Sequence, residues 1–395
     1  MISSEQALTV VLESVKSYGL ETVSVFDSVN RVLAEPVCAD RDFPPFNRVA
    51  MDGVAIHSKG LLNSDLKFKI QATQGAGEKA LSLKDSTYAI EIMTGAVLPS
   101  GCDLVIPYER LELREKTVVL DSDSWVPWKN IHRQGSDQKK GSLLIEKGTL
   151  IRSSHISILA TVGLTKVSVE ALPKIAVVST GDELVGLDIE PLPHQIRMSN
   201  SIFLQTDLRC RYGVEADLFH LKDDFEYLKT KVSELLDLYD VLLFSGGVSM
   251  GKFDFLPKVF SLNSVEEHFH KVAQRPGKPL WFGSGEGSVV FGFPGNPIST
   301  FTCYHYYFRK WLDGCLNISQ KKQNAVLSEA IDFKPDLRLF QLVSLDKSNG
   351  EIMASLIKGS GSGDLTVFSK AEGILVLNRG QDRYPANNNY ELIEI

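Results

Sequence analysis

Short runs of glycine, proline and polar residues end several apolar segments of this chain, and such runs could bind an anion. The clearest is Pro294-Gly295-Asn296-Pro297, which follows the apolar run 289–293 and precedes an amphipathic segment. Because proline is favoured at the first position of a helix, the pattern predicts a strand, a tight loop and a helix. In an open α/β sheet, anionic ligands sit at such helix N-termini. An ordinary strand-to-helix turn is the alternative interpretation.

Two other apolar runs end in the same kind of loop. The residues of interest are Thr180, Gly181, Asp182 and Glu183 in the first loop, and Ser245, Gly246, Gly247 and Ser249 in the second. Residues 246–252 match the start of a phosphate-binding P-loop, but Phe253 replaces the Ser or Thr that would bind magnesium. The glycines also follow the strand too closely for a P-loop. We therefore favour an anion-binding nest of backbone N–H groups.

Carboxylates accompany these loops. Asp182 and Glu183 lie in the first loop, and Asp254 follows the second. A carboxylate beside a phosphate is unfavourable unless a cation lies between them, so Asp254 indicates bound Mg²⁺ or a role in orienting the transferred group. Because the ends of parallel strands converge, the three carboxylates together favour a metal–phosphate site. Each could instead stabilise a helix N-terminus.

Two cations lie close together in the segment 275–279. Arg275 and Lys278 are separated and flanked by proline and glycine, which restrict the backbone. Cations held in this way lose little entropy when they bind phosphate, so the segment is a candidate phosphate site. A solvated charged loop is the alternative.

Composition limits the class of protein. The chain has 395 residues, of which 43% are hydrophobic and 23% charged, and its formal net charge is −7. This length predicts roughly two to four domains, and the charge argues against a nucleic-acid binder. We expect no signal peptide and no membrane span. The five cysteines are scattered without metal-ligand spacing, as is typical of reduced thiols in a cytoplasmic protein.

The pattern of apolar residues predicts the elements that position these loops. Residues 3–18 form a helix with a capping box at Ser3 and Gln6, and short strand-like runs fill residues 40–135. Residues 174–315 alternate between buried strands and amphipathic helices, with Asn200 capping a helix, which predicts a mostly parallel sheet covered on both faces. The remaining residues resemble a small all-β domain. We predict four domains: 1–40 with 138–172, an inserted β-rich domain 41–137, a three-layer αβα domain 173–317, and a C-terminal β domain 318–395.

Six motifs, in order along the chain, resemble the molybdopterin molybdenumtransferase (MoeA) family, to which the C-terminal half of gephyrin is related. They are Met51-Asp52-Gly53, Ile92 to Ala96, Ser179 to Leu184, Ser245 to Ser249, Pro276 to Pro279, and Gly292 to Pro297. The resemblance covers essentially the whole chain. It implies insertion of molybdenum from molybdate into adenylylated molybdopterin with release of AMP, a divalent cation, normally Mg²⁺, and an elongated homodimer.

The resemblance also implies a set of functional residues. They are Asp52, Thr94, Asp137, Glu183, Asp254, Lys278, Pro294 and Pro297, with Glu183 and Asp254 assigned to Mg²⁺. The chain departs from the family pattern at Val54, where Tyr is usual, at Ser136, where an acidic residue is usual, and at Arg275, where Lys is common. The change at Ser136 weakens the assignment of Asp137, and Arg is not a neutral replacement for Lys at a phosphate.

Two other functions are compatible with part of these observations. A molybdopterin adenylyltransferase uses the same α/β fold, but normally consists of that domain alone. A non-catalytic scaffold, as gephyrin's role at membranes illustrates, would not need Asp52, Glu183 and Asp254. We expect an enzyme, with the adenylyltransferase as a possible partner.

Overall fold

The computed structural model describes residues 1–62, 64–122, 124–249, 254–319, 322–348 and 350–395. Internal contacts divide the chain into two units. The first unit contains residues 1–34, 148–153 and 166–395, and the second contains residues 35–147 and 154–165. The predicted four-domain division is finer than these units and stays a prediction.

The helices of the described residues are short. The α-helices are Ser4–Glu13, Ser153–Thr161, Asn200–Tyr212, Phe225–Leu238, Leu256–Leu262, Pro297–Cys303 and Arg309–Cys315, with 3₁₀ turns at Ser58–Leu62, Tyr108–Arg110 and Leu365–Ser369 and a π-helical turn at Tyr304–Phe308. None of the helices in this part of the chain has the length and apolar character needed to span a membrane.

The first helix carries the predicted capping box but ends earlier than predicted. Ser3 and Gln6 exchange their capping hydrogen bonds, and the helix stops at Glu13 instead of residue 18. The hydroxyl of Ser14 donates to the carbonyl oxygen of Val11 at 2.7 Å. Such a local side-chain bond competes with the helical backbone pattern, which explains the early end.

A six-stranded sheet forms the centre of the first unit. In spatial order its strands are Asp217–Leu221, Ile175–Thr180, Val241–Ser245, Val289–Phe293, Trp281–Ser284 and Glu266–His270. The first four strands are parallel, as predicted. The last two form an antiparallel edge that the sequence pattern did not predict, because Glu266–His270 is mostly polar and exposed.

Helices cover both faces of this sheet. Alternate strand residues point in opposite directions, so Val177 and Leu243 join the core with helices Asn200–Tyr212 and Pro297–Cys303. Their neighbours pack against the helices on the other face. The predicted three-layer αβα arrangement is therefore present.

The C-terminal region of the first unit is a closed β-barrel. Around the ring its strands are Arg338–Asp346, Met353–Leu356, Gln323–Leu327, Asn389–Glu394 and Gly373–Leu377, which pairs again with the first. The strand Gln274–Arg275 pairs with the first two residues of the barrel strand Arg338–Asp346, which are Arg338 and Leu339. The remaining pairs of the first unit are Leu20–Ser24 with Lys166–Glu170, Leu184–Val185 with Ile196–Arg197, and Ile331–Asp332 with Arg383–Tyr384.

The second unit is built mainly from β-strands, as predicted. Its six-stranded sheet contains, in spatial order, Leu104–Pro107, Gly53–Ile56, Tyr88–Ile92, Lys67–Gln74, Thr117–Leu120 and Leu111–Arg114. Two short pairs complete it, Arg48–Val49 with Ile131–His132 and Val37–Cys38 with Leu143–Ile145. Gly53 has no room for a side chain, because a Cβ atom there would lie 1.9 Å from the carbonyl oxygen of Ile106.

Candidate active site

Three of the sequence-predicted loops lie at the same edge of the central sheet. Strand pairing places Ser179, Ser245 and Phe293 at one level, so the loops that follow them are neighbours. A Cβ atom on Gly295 would lie 3.8 Å from the Cα atom of Gly246. Because each loop begins where a parallel strand ends, their polar residues converge there.

The loop after Ser245 approaches Thr180 closely, and only glycine fits. Gly246 and Gly247 adopt φ values of +96° and +70°. A Cβ atom on Gly247 would lie 2.7 Å from Oγ1 of Thr180. That hydroxyl is buried and has no hydrogen-bond partner among the described residues. It is therefore a polar group that a ligand or a water molecule could satisfy.

The predicted anion nest cannot begin at Gly246. The backbone N–H of Gly246 donates to the carbonyl oxygen of Phe293 at 3.1 Å and is not available to a phosphate. Residues 250–253, which include the lysine of the rejected P-loop interpretation, lie outside the described residues. Ser249 lies on the described side of this gap and is exposed.

A residue that the sequence interpretation treated only as a helix cap connects two of the loops. Asn200 is the first residue of its helix, and its side-chain amide donates to the hydroxyl of Ser245 at 2.9 Å and to the carbonyl oxygen of Gly295 at 2.8 Å. The prediction that Asn200 caps the helix is therefore wrong. Its side chain holds the Ser245 and Gly295 loops together.

An acidic group at this edge of the sheet consists of Asp182, Glu183, Asp223 and Asp254, whose charges act on one another. Burial, which is the largest cause, and the negative charges of Asp182, Glu183 and Asp254 together raise the pKa of Asp223 to about 6, while His220 opposes them. The backbone N–H of Asp223 donates to Oδ1 of Asp182 at 3.4 Å. Asp223 was not among the predicted site residues. Its only sequence signal was its place after a strand, beside Asp224.

The position of Glu183 depends on Gly181, two residues before it. Gly181 has a φ of +140°, and a Cβ atom there would lie 2.6 Å from the Glu183 carboxylate. The carbonyl oxygen of Gly181 is 2.9 Å from Nε2 of His220. Glycine at 181 thus lets Glu183 fold back over the strand end.

The two predicted cations have exposed side chains, and the backbone of their loop is hydrogen-bonded to the protein interior. Arg275 and Lys278 are both exposed, while Gly277 between them is buried. The carbonyl oxygen of Lys278 accepts a hydrogen bond from the backbone N–H of Val272 at 2.9 Å. The guanidinium of Arg275 lies 6.0 Å from the ring centre of Phe333, which follows the short strand Ile331–Asp332.

A cavity of about 560 Å³ lies between this loop, the Pro294 loop and the barrel. Arg275 and Lys358 contribute positive charge to its lining, and Asn296 and Ser299 contribute polar groups. Lining residues Pro294 and Asn296 are the neighbours of Gly295, so the cavity adjoins the sheet edge. Its size and charge suit a small anionic ligand.

The barrel contributes a glycine- and serine-rich loop to this cavity. The side-chain amide of Asn296 donates to the hydroxyl of Ser362 at 2.9 Å, and the backbone N–H of Ile298 donates to the Ser362 carbonyl oxygen at 3.1 Å. Hydrogen bonds from Thr366 and Ser360 to Asp364 lower the pKa of that carboxyl to about 2. The run Gly359 to Asp364 was a visible signal that the sequence interpretation did not use.

Asp52 and Thr94 are neighbours in the second unit. Oδ1 of Asp52 accepts a hydrogen bond from the backbone N–H of Thr94 at 2.6 Å, and this bond is the main reason why the pKa of Asp52 is lowered. Asp52 and Thr94 lie 42 positions apart in the sequence. The fold thus brings together two residues that only their family resemblance had connected.

Asp137 belongs to the same unit and is held by a histidine. Its Oδ1 lies 2.7 Å from Nε2 of His132, and Nη2 of Arg48 lies 3.0 Å from Nδ1 of the same ring. Because arginine can only donate, these contacts place the ring proton on Nε2, facing the carboxylate. Ser136, at the unusual position, donates to Asp137 over 3.4 Å.

Comparison with known proteins agrees with this architecture. Residues 2–163 match the MoeA N-terminal region (domain I and II), residues 176–314 a probable molybdopterin binding domain, and residues 324–395 the MoeA C-terminal region (domain IV). These matches define a multidomain protein with a molybdopterin-binding type of α/β domain.

Full-length relatives give the particular family. A molybdopterin molybdenumtransferase of Synechocystis is 38% identical over 390 residues, 98% of each chain, and one of Staphylococcus epidermidis is 29% identical over 402 residues, covering 99% of this chain and 95% of the relative. A MoeA structure from Pyrococcus horikoshii superposes with a TM-score of 0.81 at 29% identity, covering 100% of this chain and 99% of that one. The chain belongs to the MoeA family of molybdenumtransferases, and we assign it to the transferases of molybdenum cofactor biosynthesis.

Proposed function

We propose that this protein inserts molybdenum from molybdate into adenylylated molybdopterin and releases AMP. One observation carries the proposal. The acidic group, the Ser245 and Gly295 loops and the cationic cavity lie next to one another along one edge of the sheet. Both substrates are anions, and the reaction cleaves a phosphoanhydride. A site for it needs positive charge for the substrates and oxygen ligands for a divalent cation, and both are present.

The acidic group fits Mg²⁺. Carboxylate oxygens are the ligands that this ion prefers, and it usually takes only one or two of them together with water and substrate phosphates. In the described residues, no three His, Cys, Asp or Glu side chains lie close enough to form a complete metal cage. A site that uses Glu183 and Asp254 and is completed by the substrate agrees with that arrangement. When bound, the ion would neutralise charge on the reacting phosphate.

The protein's own groups would bind and orient the substrates. Lys278 and Arg275 would neutralise phosphate oxygens, and Arg275 and Lys358 would hold molybdate in the cavity beside Ser362. Thr180, with its unsatisfied hydroxyl, could donate to a ligand oxygen at the strand end. The thiolates that receive the metal belong to the pterin, so no cysteine has to react.

We further propose a cytoplasmic homodimer in which Asp52, Thr94 and Asp137 of one subunit complete the site at the sheet-edge loops of the other subunit. The support is the family resemblance of these residues, together with the contact between Asp52 and Thr94. Light scattering at micromolar concentration should give the mass of a dimer, and a monomer would contradict this part of the proposal. An adenylyltransferase that delivers its product directly is a natural partner.

One assay tests the reaction itself. The protein is incubated with adenylylated molybdopterin and Mg²⁺, with and without molybdate, and AMP is followed by chromatography. We expect AMP release that requires the protein and rises with molybdate. ATP turnover in the presence of unmodified molybdopterin, without molybdate, would instead identify an adenylyltransferase. Binding of the substrate with no turnover would favour a scaffold.

A further inference from the structure

A buried polar network lies beneath the loop 275–279. Gln274 is 1% exposed, and its side-chain amide donates to the carbonyl oxygen of Gly277 at 3.1 Å. The hydroxyl of Tyr307, which is 0% exposed, donates to the side-chain oxygen of Gln274. The same amide of Gln274 lies 3.4 Å from Sγ of Cys303. The loop is thereby connected to a helical segment about thirty residues away in the sequence.

The network and the loop leave no free space between them. Gly277 has a φ of +88°, and a Cβ atom there would lie 2.5 Å from Sγ of Cys303 and 2.8 Å from Nε2 of Gln274. The next residue is fixed as well, through the bond from the Val272 N–H to the Lys278 carbonyl oxygen. The backbone between the two exposed cations is therefore held at two successive carbonyl groups.

A buried amide is an unexpected choice for a position that only fills space. Burying an amide without hydrogen bonds costs on the order of 1–3 kcal/mol, so an apolar residue of the same length would be the simpler solution. Gln274 instead accepts from Tyr307 and donates to Gly277. A fully satisfied buried network of this kind specifies one conformation of the groups that it contacts.

We propose that Gln274 and Tyr307 are positioning residues that hold the loop 275–279 in the conformation in which Arg275 and Lys278 bind an anion together. Tyr307 orients the Gln274 amide, and the amide holds the Gly277 carbonyl. Neither side chain reaches a ligand itself. The identity of the physiological anion rests on the proposed function, but the positioning role does not.

The test measures anion affinity in variants that lack one hydrogen bond. Pyrophosphate serves as the probe, with calorimetry at low ionic strength on the full chain. We expect Tyr307→Phe to raise the Kd for pyrophosphate about three- to tenfold. The matched control is Tyr304→Phe, which removes another fully buried hydroxyl, bonded at 2.9 Å to Asp207. It should lower the melting temperature to a similar extent and leave the Kd unchanged.

A double-mutant cycle separates positioning from general destabilisation. In the Lys278→Ala background, Tyr307→Phe should change the Kd less than twofold, because one of the two cations that the network aligns is gone. An equal effect in both backgrounds, an unchanged Kd in Tyr307→Phe, or no pyrophosphate binding by the unmodified protein would each overturn the inference. Should Tyr307→Phe not fold, Gln274→Met carries the same prediction.

The outcome can be distinguished from failure of the proposed function. If pyrophosphate affinity follows the cycle but adenylylated molybdopterin is neither bound nor converted, the positioning role stands and the assigned substrate is wrong. If the protein releases AMP and Tyr307→Phe binds pyrophosphate as tightly as the unmodified protein, the function stands and the positioning role is wrong.

Discussion

Asn200 donates its side-chain amide to the hydroxyl of Ser245 across 2.9 Å, and so ties the start of one helix to the end of a neighbouring strand. The same nitrogen also reaches the Gly295 carbonyl oxygen. Two loops that the sequence presents separately are thereby fixed relative to each other. The relationship makes Asn200 a structural link within the candidate active site.

Removal of this link should impair function more than stability. Asn200→Ala loses two hydrogen bonds, worth about 1 kcal/mol each, and frees both loops. We expect the rate of AMP release to fall roughly tenfold or more, because small displacements at a reacting site are costly. Asn263→Ala is the control, since its amide also bridges two carbonyl oxygens, at 3.2 and 3.0 Å, and both belong to helices instead of site loops. Equal activity losses in the two variants would contradict the role of Asn200.

Asp223 should make stability depend on pH in a defined direction. Its pKa is raised to about 6 in the folded protein, so protonation favours folding and that contribution is lost as the pH rises through 6. Asp223→Asn should therefore raise the melting temperature at pH 7.5 and have little effect near pH 4. Because the side chain is partly exposed, we expect a gain of about 1 kcal/mol or less. A lower melting temperature of Asp223→Asn at pH 7.5 would show that the ionised carboxylate of Asp223 does not destabilise the folded protein.

The neighbouring aspartate should respond in the opposite sense. Asp224 caps its helix by accepting a hydrogen bond from the backbone N–H of Tyr227 at 2.9 Å. Loss of such a cap in Asp224→Ala typically costs about 0.5–2 kcal/mol. Chemical denaturation at pH 7.5 should show Asp223→Asn more stable and Asp224→Ala less stable than the unmodified protein. The pair thus tests which of two adjacent carboxylates belongs to the acidic group.

Glu183→Gln and Asp254→Asn should abolish or greatly slow AMP release, with little change in stability. Both carboxylates add to the negative charge around Asp223, so their removal relieves repulsion as well as deleting cation ligands. Substitutions outside the core usually change stability by less than about 0.5 kcal/mol. Activity assays over a range of Mg²⁺ concentrations, paired with thermal melts, check this. Full activity with a large loss of stability would indicate a structural role for these carboxylates.

Lys278→Ala should weaken binding of adenylylated molybdopterin about ten- to a hundredfold at low salt. A charge-assisted hydrogen bond to phosphate contributes roughly 1.5–3 kcal/mol, and salt screens it. Calorimetry at two ionic strengths should show the loss shrinking as salt increases. Lys229→Ala, on an exposed helical surface, is the control and should bind normally. An unchanged Kd for Lys278→Ala at low salt would remove this residue from the site.

Local patterns in the sequence determined much of this protein. The capping box at Ser3 depends on residues three positions apart, and apolar alternation depends on neighbours, so both were predictable. The loops at Gly181, Gly246 and Pro294 were predictable for the same reason, because each directly follows the strand that positions it. The alternation of strands and helices predicted the fold class, and the resemblance of the six motifs indicated the family.

Other features were decided only by the tertiary structure. The edge strand Glu266–His270 has no apolar alternation, and its pairing with Trp281–Ser284 supplies the hydrogen bonds that define it. Asp223 acquires its raised pKa from charges on other loops, and Gln274 meets Tyr307 across 33 positions. Burial, electrostatic repulsion and long-range hydrogen bonds depend on which residues become neighbours in space. The spacing of residues along the sequence does not show which of them become neighbours when the chain folds.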